Sequence, residues 1–246
     1  MKSLNKPTDQ YQNLGYWFLL IVVMVVAGFY ETYFITFPEP SNLMIHLHFV
    51  AMCLWIVLLI VQPFLIKYKK RRLHRTLGKV SYVVVPLVLF TTFMIALNRY
   101  NIIIGERTTA NLAAATKMPD WKIRLNTLAD LGLAIVYFTW LAIFYTLAMV
   151  NRKRSSAHAR YILAAALTVT GPTVDRFLYV NMNMPKPLGI SAEFISFLLI
   201  DLILLTLLIV DYKNKKPLKP LALSLGIYAI VQVLYYLFFH SRIGLS

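Results

Sequence analysis

Ten acidic residues against 25 Lys and Arg, a single cysteine and a charged content of 14% are what this 246-residue chain has little of. A soluble domain carries roughly a quarter charged residues, so the low charge argues against a water-soluble globule. Cys53 alone excludes an intramolecular disulfide. None of the motifs HExxH, CxxC, GxxxxGK or GxSxG occurs, so no signature of a zinc protease, a dithiol redox site, a phosphate-binding loop or a serine hydrolase is present.

What the chain does have is apolar length. It is 59% hydrophobic with a mean hydropathy of +0.65, and apolar runs of about 20 residues, enough to cross a bilayer, recur throughout. These runs predict an all-α, polytopic membrane protein with a single domain, residues 1–246, and seven helices over 15–36, 43–66, 78–98, 122–149, 159–181, 190–211 and 219–240. A short interfacial helix is expected over Asn111–Met118. The connections KYKKRRLHRTLGK, NRKRSSAHAR and DYKNKKPLKP, together with Lys2 and Lys6, hold 17 of the 25 basic residues. The positive-inside rule therefore predicts the N-terminus inside and the C-terminus outside, with the basic turns on the inner face. The net charge of +15 has this topological explanation and does not point to nucleic acid. The basic inner turns suit anionic lipid head groups.

Ionisable groups inside a span cost several kcal/mol unless they face the bundle interior, water or a partner. Glu31, Asp130, Asp175, Arg176 and Glu193 all fall within about 12 Å of the outer helix ends, at 1.5 Å per residue. Asn126 and Asp130 share a stripe with Tyr137. Thr168, Pro172, Asp175 and Tyr179 form another, and Tyr228, Gln232, Tyr236 and His240 a third. Three such stripes in one leaflet predict an outward-facing polar cavity. Within it Arg176 is expected against Glu193 or Glu31, and Asp175 against Asn126 or a tyrosine hydroxyl. The competing reading is a structural ion-pair network that only locks helices together.

The five histidines lie at membrane boundaries: His46, His48 and His240 on the outer side, His74 and His158 on the inner. Imidazoles on several helices near both surfaces are what a two-haem membrane cytochrome needs, so they are candidate axial ligands for haem b. The alternative is that His74 and His158 bind lipid phosphates or cap helix ends.

Residues 46–90 carry a further pattern: His46 opening a helix, Gln62 near its far end, then His74, Arg75, Gly78 and Tyr82, followed later by His158, Arg160 and Arg176. This pattern resembles a family of bacterial predicted multi-pass membrane proteins with no established activity, and more loosely the cytochrome b561-like proteins, in which histidines on successive helices hold haem. Here Pro63 follows Gln62, and the glycine often found soon after the first histidine is absent. The resemblance implies a bacterial inner-membrane protein and electron transfer through haem. Transport or sensing through an intramembrane Asp/Arg/Glu substrate or proton site is the alternative. A non-catalytic assembly subunit is a third.

Overall fold

The computed structural model describes residues 13–37, 42–114, 117–184, 186 and 189–240. Among these the structure is helical throughout, with no strand. The elements are α1 (Leu14–Phe29) with a π-helical turn (Tyr30–Phe34), α2 (Leu43–Lys67), α3 (Arg71–Gly78), α4 (Ser81–Ala113), α5 (Asp120–Asp130) and α6 (Gly132–Val150). They continue as α7 (Ser155–Leu167), α8 (Thr170–Arg176) with a π-helical turn (Phe177–Asn181), α9 (Ala192–Lys213), and α10 (Lys219–Tyr235) with a third π-helical turn (Tyr236–His240).

Six of these helical segments are long and apolar enough to cross a membrane: Leu14–Phe34, Leu43–Lys67, Arg71–Ala113, Gly132–Val150, Ala192–Lys213 and Lys219–Phe239. In each, the most apolar stretch has only 28–33% of its residues buried inside the protein. The remainder presents an apolar surface of residues such as Trp17, Val23, Phe90, Leu202 and Ile230. A soluble monomer does not expose so much contiguous apolar area; the chain is an integral membrane protein.

The segment expected as the fifth span is the exception, because it is broken. α7 has 13 residues and α8 seven, with a turn at Thr168–Val169 between them. Pro172 has no N–H to donate to the Thr168 carbonyl four residues back, and its ring crowds that carbonyl. Proline alone is insufficient, since α2 and α4 pass through Pro63 and Pro86 uninterrupted; here Gly171 precedes it and loosens the backbone further. Threonine hydroxyls take up carbonyls around the break. Thr168 Oγ1 donates to Ala165 O (2.7 Å), and Thr173 Oγ1 to Thr170 O (2.8 Å) and Val169 O (3.0 Å).

This broken segment is the axis of the bundle. Tyr161, Leu163 to Gly171, and Thr173 are all buried, the all-round burial of a helix enclosed by others. α7 packs on α6 and α10, and α8 on α1 and α9, while α2 joins α1 to α4 and α4 leads on to α6. Gly28 of α1 lies so close to the Thr173 backbone that a side chain there would collide with it.

Two further boundaries differ from expectation. α4 is 33 residues long, about 50 Å, and continues past Asn98 to Ala113. Residues 99–113 of the region expected as a connecting loop are therefore helix, and of the segment expected to be an interfacial helix Asn111–Ala113 belong to the last turn of α4, while Ala115 and Thr116 lie outside the described residues. Asn111 closes that turn, its side chain donating to Met118 O at 3.0 Å and accepting from Met118 N at 2.7 Å. The helix expected over 122–149 is two helices, α5 and α6, meeting at Leu131.

Candidate functional site

Of the acids expected to meet in the outer half of the bundle, Asp175 stands at its centre. Tyr137 of α6 crosses directly over Gly171, where a Cβ would fall inside the tyrosine ring, and its hydroxyl donates to Asp175 Oδ2. This is the tyrosine partner expected for Asp175. Ser196 of α9 places its hydroxyl 3.5 Å from that of Tyr137 while donating to the Glu193 carbonyl at 2.9 Å. Asp175 Oδ1 is enclosed and has no hydrogen-bond partner among the described residues. Trp140 and Phe197 wall the tyrosine, with ring centroids 5.7 and 6.3 Å away. Glu193 is buried, 8% exposed, in the first turn of α9. Tyr236 packs 6.2 Å from Phe197 and 5.3 Å from Tyr235. The site is thus a carboxylate with one satisfied oxygen and one orphaned among the described residues, set nearly two helical turns beyond the break and roofed by aromatic rings.

Other residues expected here lie elsewhere. Asp130 is exposed at the end of α5 and forms an ion pair with Arg107 of α4 at 2.9 Å. Asn126 faces the same α4–α5 hairpin, its amide 3.9 Å from Met118 Sδ. Both leave the Tyr137 stripe because the helix is interrupted at Leu131. Gln232 donates to Asp201 Oδ1 at 3.1 Å. Glu31 is exposed in the π-helical turn that follows α1. Arg176 is exposed with its guanidinium 4.9 Å over the Phe29 ring; that cation–π contact, not an ion pair with Glu193 or Glu31, is its recorded partner among the described residues.

The histidines divide by what holds their Nδ1 atoms. His48 Nδ1 lies 3.0 Å from Thr91 Oγ1, and that hydroxyl donates to Leu87 O at 2.8 Å. The Thr91 proton being used, His48 Nδ1 carries the hydrogen and Nε2 keeps its lone pair. His158 Nδ1 donates to Ala148 O at 2.9 Å, which again leaves Nε2 with its lone pair. His74 is the opposite tautomer: with the Gln62 amide oriented to satisfy both ends, its nitrogen donates to His74 Nδ1 and its oxygen accepts from Gly78 N at 3.0 Å. His46 Nδ1 is 2.9 Å from the Tyr33 hydroxyl. His240 ends the final helix, and its side chain lies outside the described residues.

The end carrying the basic turns holds a second polar layer. Ser81 donates to Gly78 O at 2.7 Å and accepts from the Tyr145 hydroxyl at 2.9 Å, and Arg152 reaches the Tyr82 hydroxyl at 2.6 Å. Arg160, 1% exposed, pairs through Nε with Asp211, 0% exposed, at 2.6 Å. Arg160 also donates through Nη1 to Ser156 O at 2.8 Å. The quoted pattern Gln62, His74, Gly78 is thereby one hydrogen-bonded unit fastening α2 to α3. The Arg160–Asp211 pair was not legible in the sequence, since both residues sit in stretches that read as basic loops; an aspartate opening DYKNKKPLKP is the one signal it left. Comparison with protein-family models, curated proteins and solved structures gives no match to this chain.

Proposed function

We propose that this is a seven-span inner-membrane protein of the transporter or sensor class, in which Asp175 takes up and releases a proton. The seventh span in this reading is the broken pair α7–α8, 27 residues over 155–181. The basic turns face the cytoplasm, which puts the N-terminus inside and the C-terminus outside. The observation that carries the reading is Asp175 Oδ1, an enclosed carboxylate oxygen without a hydrogen-bond partner among the described residues, beside a helix break at the core of the bundle. A carboxylate held this way has a vacant acceptor for a proton, while Tyr137 keeps the other oxygen oriented. Broken helices in membranes are tolerated where they are buried in protein or line a pathway, and the turn at Thr168–Val169 gives α8 a joint on which to move when the charge at Asp175 changes.

The test is an infrared pH titration of the reconstituted protein. A carboxylic-acid C=O band should grow on acidification and vanish in Asp175→Asn, with the helical spectrum unchanged. Identical titration spectra in the two proteins would overturn the reading.

A second reading, haem b and electron transfer, is favoured by the tautomers of His48 and His158. Each has Nδ1–H anchored to a protein oxygen and Nε2 available, the arrangement found in metal-ligating imidazoles. His74, as hydrogen-bonded by Gln62, does not fit that role. Bound haem would supply one-electron chemistry, with His48 holding one haem by Nε2 and His158 holding a second near the opposite end of the bundle. Protein expressed with ample haem should then show a Soret band that shifts on reduction and weakens in His48→Ala and His158→Ala. A colourless, iron-free protein would exclude it.

A further inference from the structure

The α4–α5 hairpin at the end opposite the basic turns contains a feature that the Asp175 site does not use. A groove of about 500 Å³ runs between the two helices, with Tyr100, Asn101 and Thr108 on the α4 wall and Asp120 and Arg124 on the α5 wall. Asp120 and Arg124 stand four residues apart on α5, the spacing at which opposite charges on a helix ordinarily pair. They make no ion pair with each other, and no hydrogen bond or ion pair is recorded for either among the described residues. Both are exposed on the groove.

Gly105 supplies the floor. It sits mid-helix in α4, where glycine is unfavourable relative to alanine, and a Cβ built on it would meet nothing within 4 Å. No close helix approach and no left-handed backbone requires glycine there. The space a side chain would fill is the groove itself. The walls are held at a fixed separation by the Arg107–Asp130 ion pair (2.9 Å), by Arg107 Nη1 donating to Thr127 Oγ1 (3.3 Å), and by the Asn111 clasp on Met118.

We infer that this groove binds a small zwitterion, its ammonium on Asp120, its oxyanion on Arg124 and its body over Gly105. An acid and a base that line one groove without pairing are complementary to a molecule carrying both charges, and the Tyr100 ring beside them suits the ammonium end. Two sources share this chemistry, a free α-amino acid and the phosphoethanolamine head of a membrane lipid. The inference is independent of the proton reading at Asp175.

The test uses the full chain in nanodiscs of phosphatidylglycerol alone, titrated calorimetrically with glycerophosphoethanolamine and, separately, with L-alanine. Binding of either probe is expected to weaken at least tenfold in Asp120→Asn and in Arg124→Gln, and to be abolished by Gly105→Leu, which fills the floor. Saturable alanine binding without the head group identifies the free solute. Head-group binding that is competed away when phosphatidylethanolamine is added to the disc identifies the lipid. Heat-free titrations with both probes, or binding that the three variants leave unchanged, would overturn the inference. Because Asp175→Asn does not touch the groove, binding should persist in that variant even if the proton reading fails.

Discussion

Asp175 and Arg176 adjoin in sequence, yet their surroundings give them different fates. Asp175 turns inward to a tyrosine, and Arg176, about 100° further round the helix, lies outside over Phe29. The tyrosine contact is narrow in tolerance. Gly171→Ala would push a methyl group into the Tyr137 ring, and overpacking of this kind costs about 1–3 kcal/mol; thermal unfolding in detergent should show the loss. Tyr137→Phe keeps the ring and removes the hydrogen bond from the Tyr137 hydroxyl to Asp175 Oδ2. It should destabilise by about 1–3 kcal/mol, the cost of leaving a buried acceptor unsatisfied, and should move the Asp175 carboxyl band in the infrared titration. At this scale the sequence pointed to a tyrosine hydroxyl as a partner for Asp175, which Tyr137 supplies. It misjudged Asp130 because the partner, Arg107, comes from a helix continuation that no apolar run announces.

The elements explain which boundaries could be read and which could not. Apolar runs locate α1, α2, α9 and α10 to within a few residues, because the bilayer imposes their length. They fail where the helix leaves that constraint: α4 continues through NRYNIIIGERTTANLA, where it packs along α5 and Ile103 is only 9% exposed. The break between α7 and α8 is legible in principle from Gly171-Pro172, but an otherwise apolar stretch hides it. Pro172→Ala returns an amide donor to the Thr168 carbonyl, and the expected outcome is a protected amide at position 172 and slowed hydrogen exchange at the neighbouring amides of the break, with an impaired response at Asp175. The opposite end of the same segment is fixed by Arg160 and Asp211. Arg160→Met would strand a buried carboxylate at a cost of about 3–5 kcal/mol, and adding Asp211→Leu should recover most of it, a coupling that a double-mutant cycle of unfolding midpoints would measure.

For the whole molecule, the arrangement of charge predicts orientation. With Cys53 replaced by serine and single cysteines placed at Lys69, Lys117, Lys153 and Lys215, a membrane-impermeant thiol reagent applied to intact cells should label position 117 alone. Labelling of 117 and 153 from the same side would contradict the proposed topology. The two ends of the bundle also differ in construction. Near the basic turns, Gln62, Ser81, His158 and the Arg160–Asp211 pair bind six helices, α2, α3, α4, α6, α7 and α9, into one layer. At the other end α1, α8 and α10 each finish in a π-helical turn, at Tyr30–Phe34, Phe177–Asn181 and Tyr236–His240. Such turns are rare and are concentrated at functional sites. If Asp175 is the proton site proposed above, the proton reaches it from the end where these π-helical turns lie, and the hydrogen-bonded layer near the basic turns is the barrier between the two aqueous compartments.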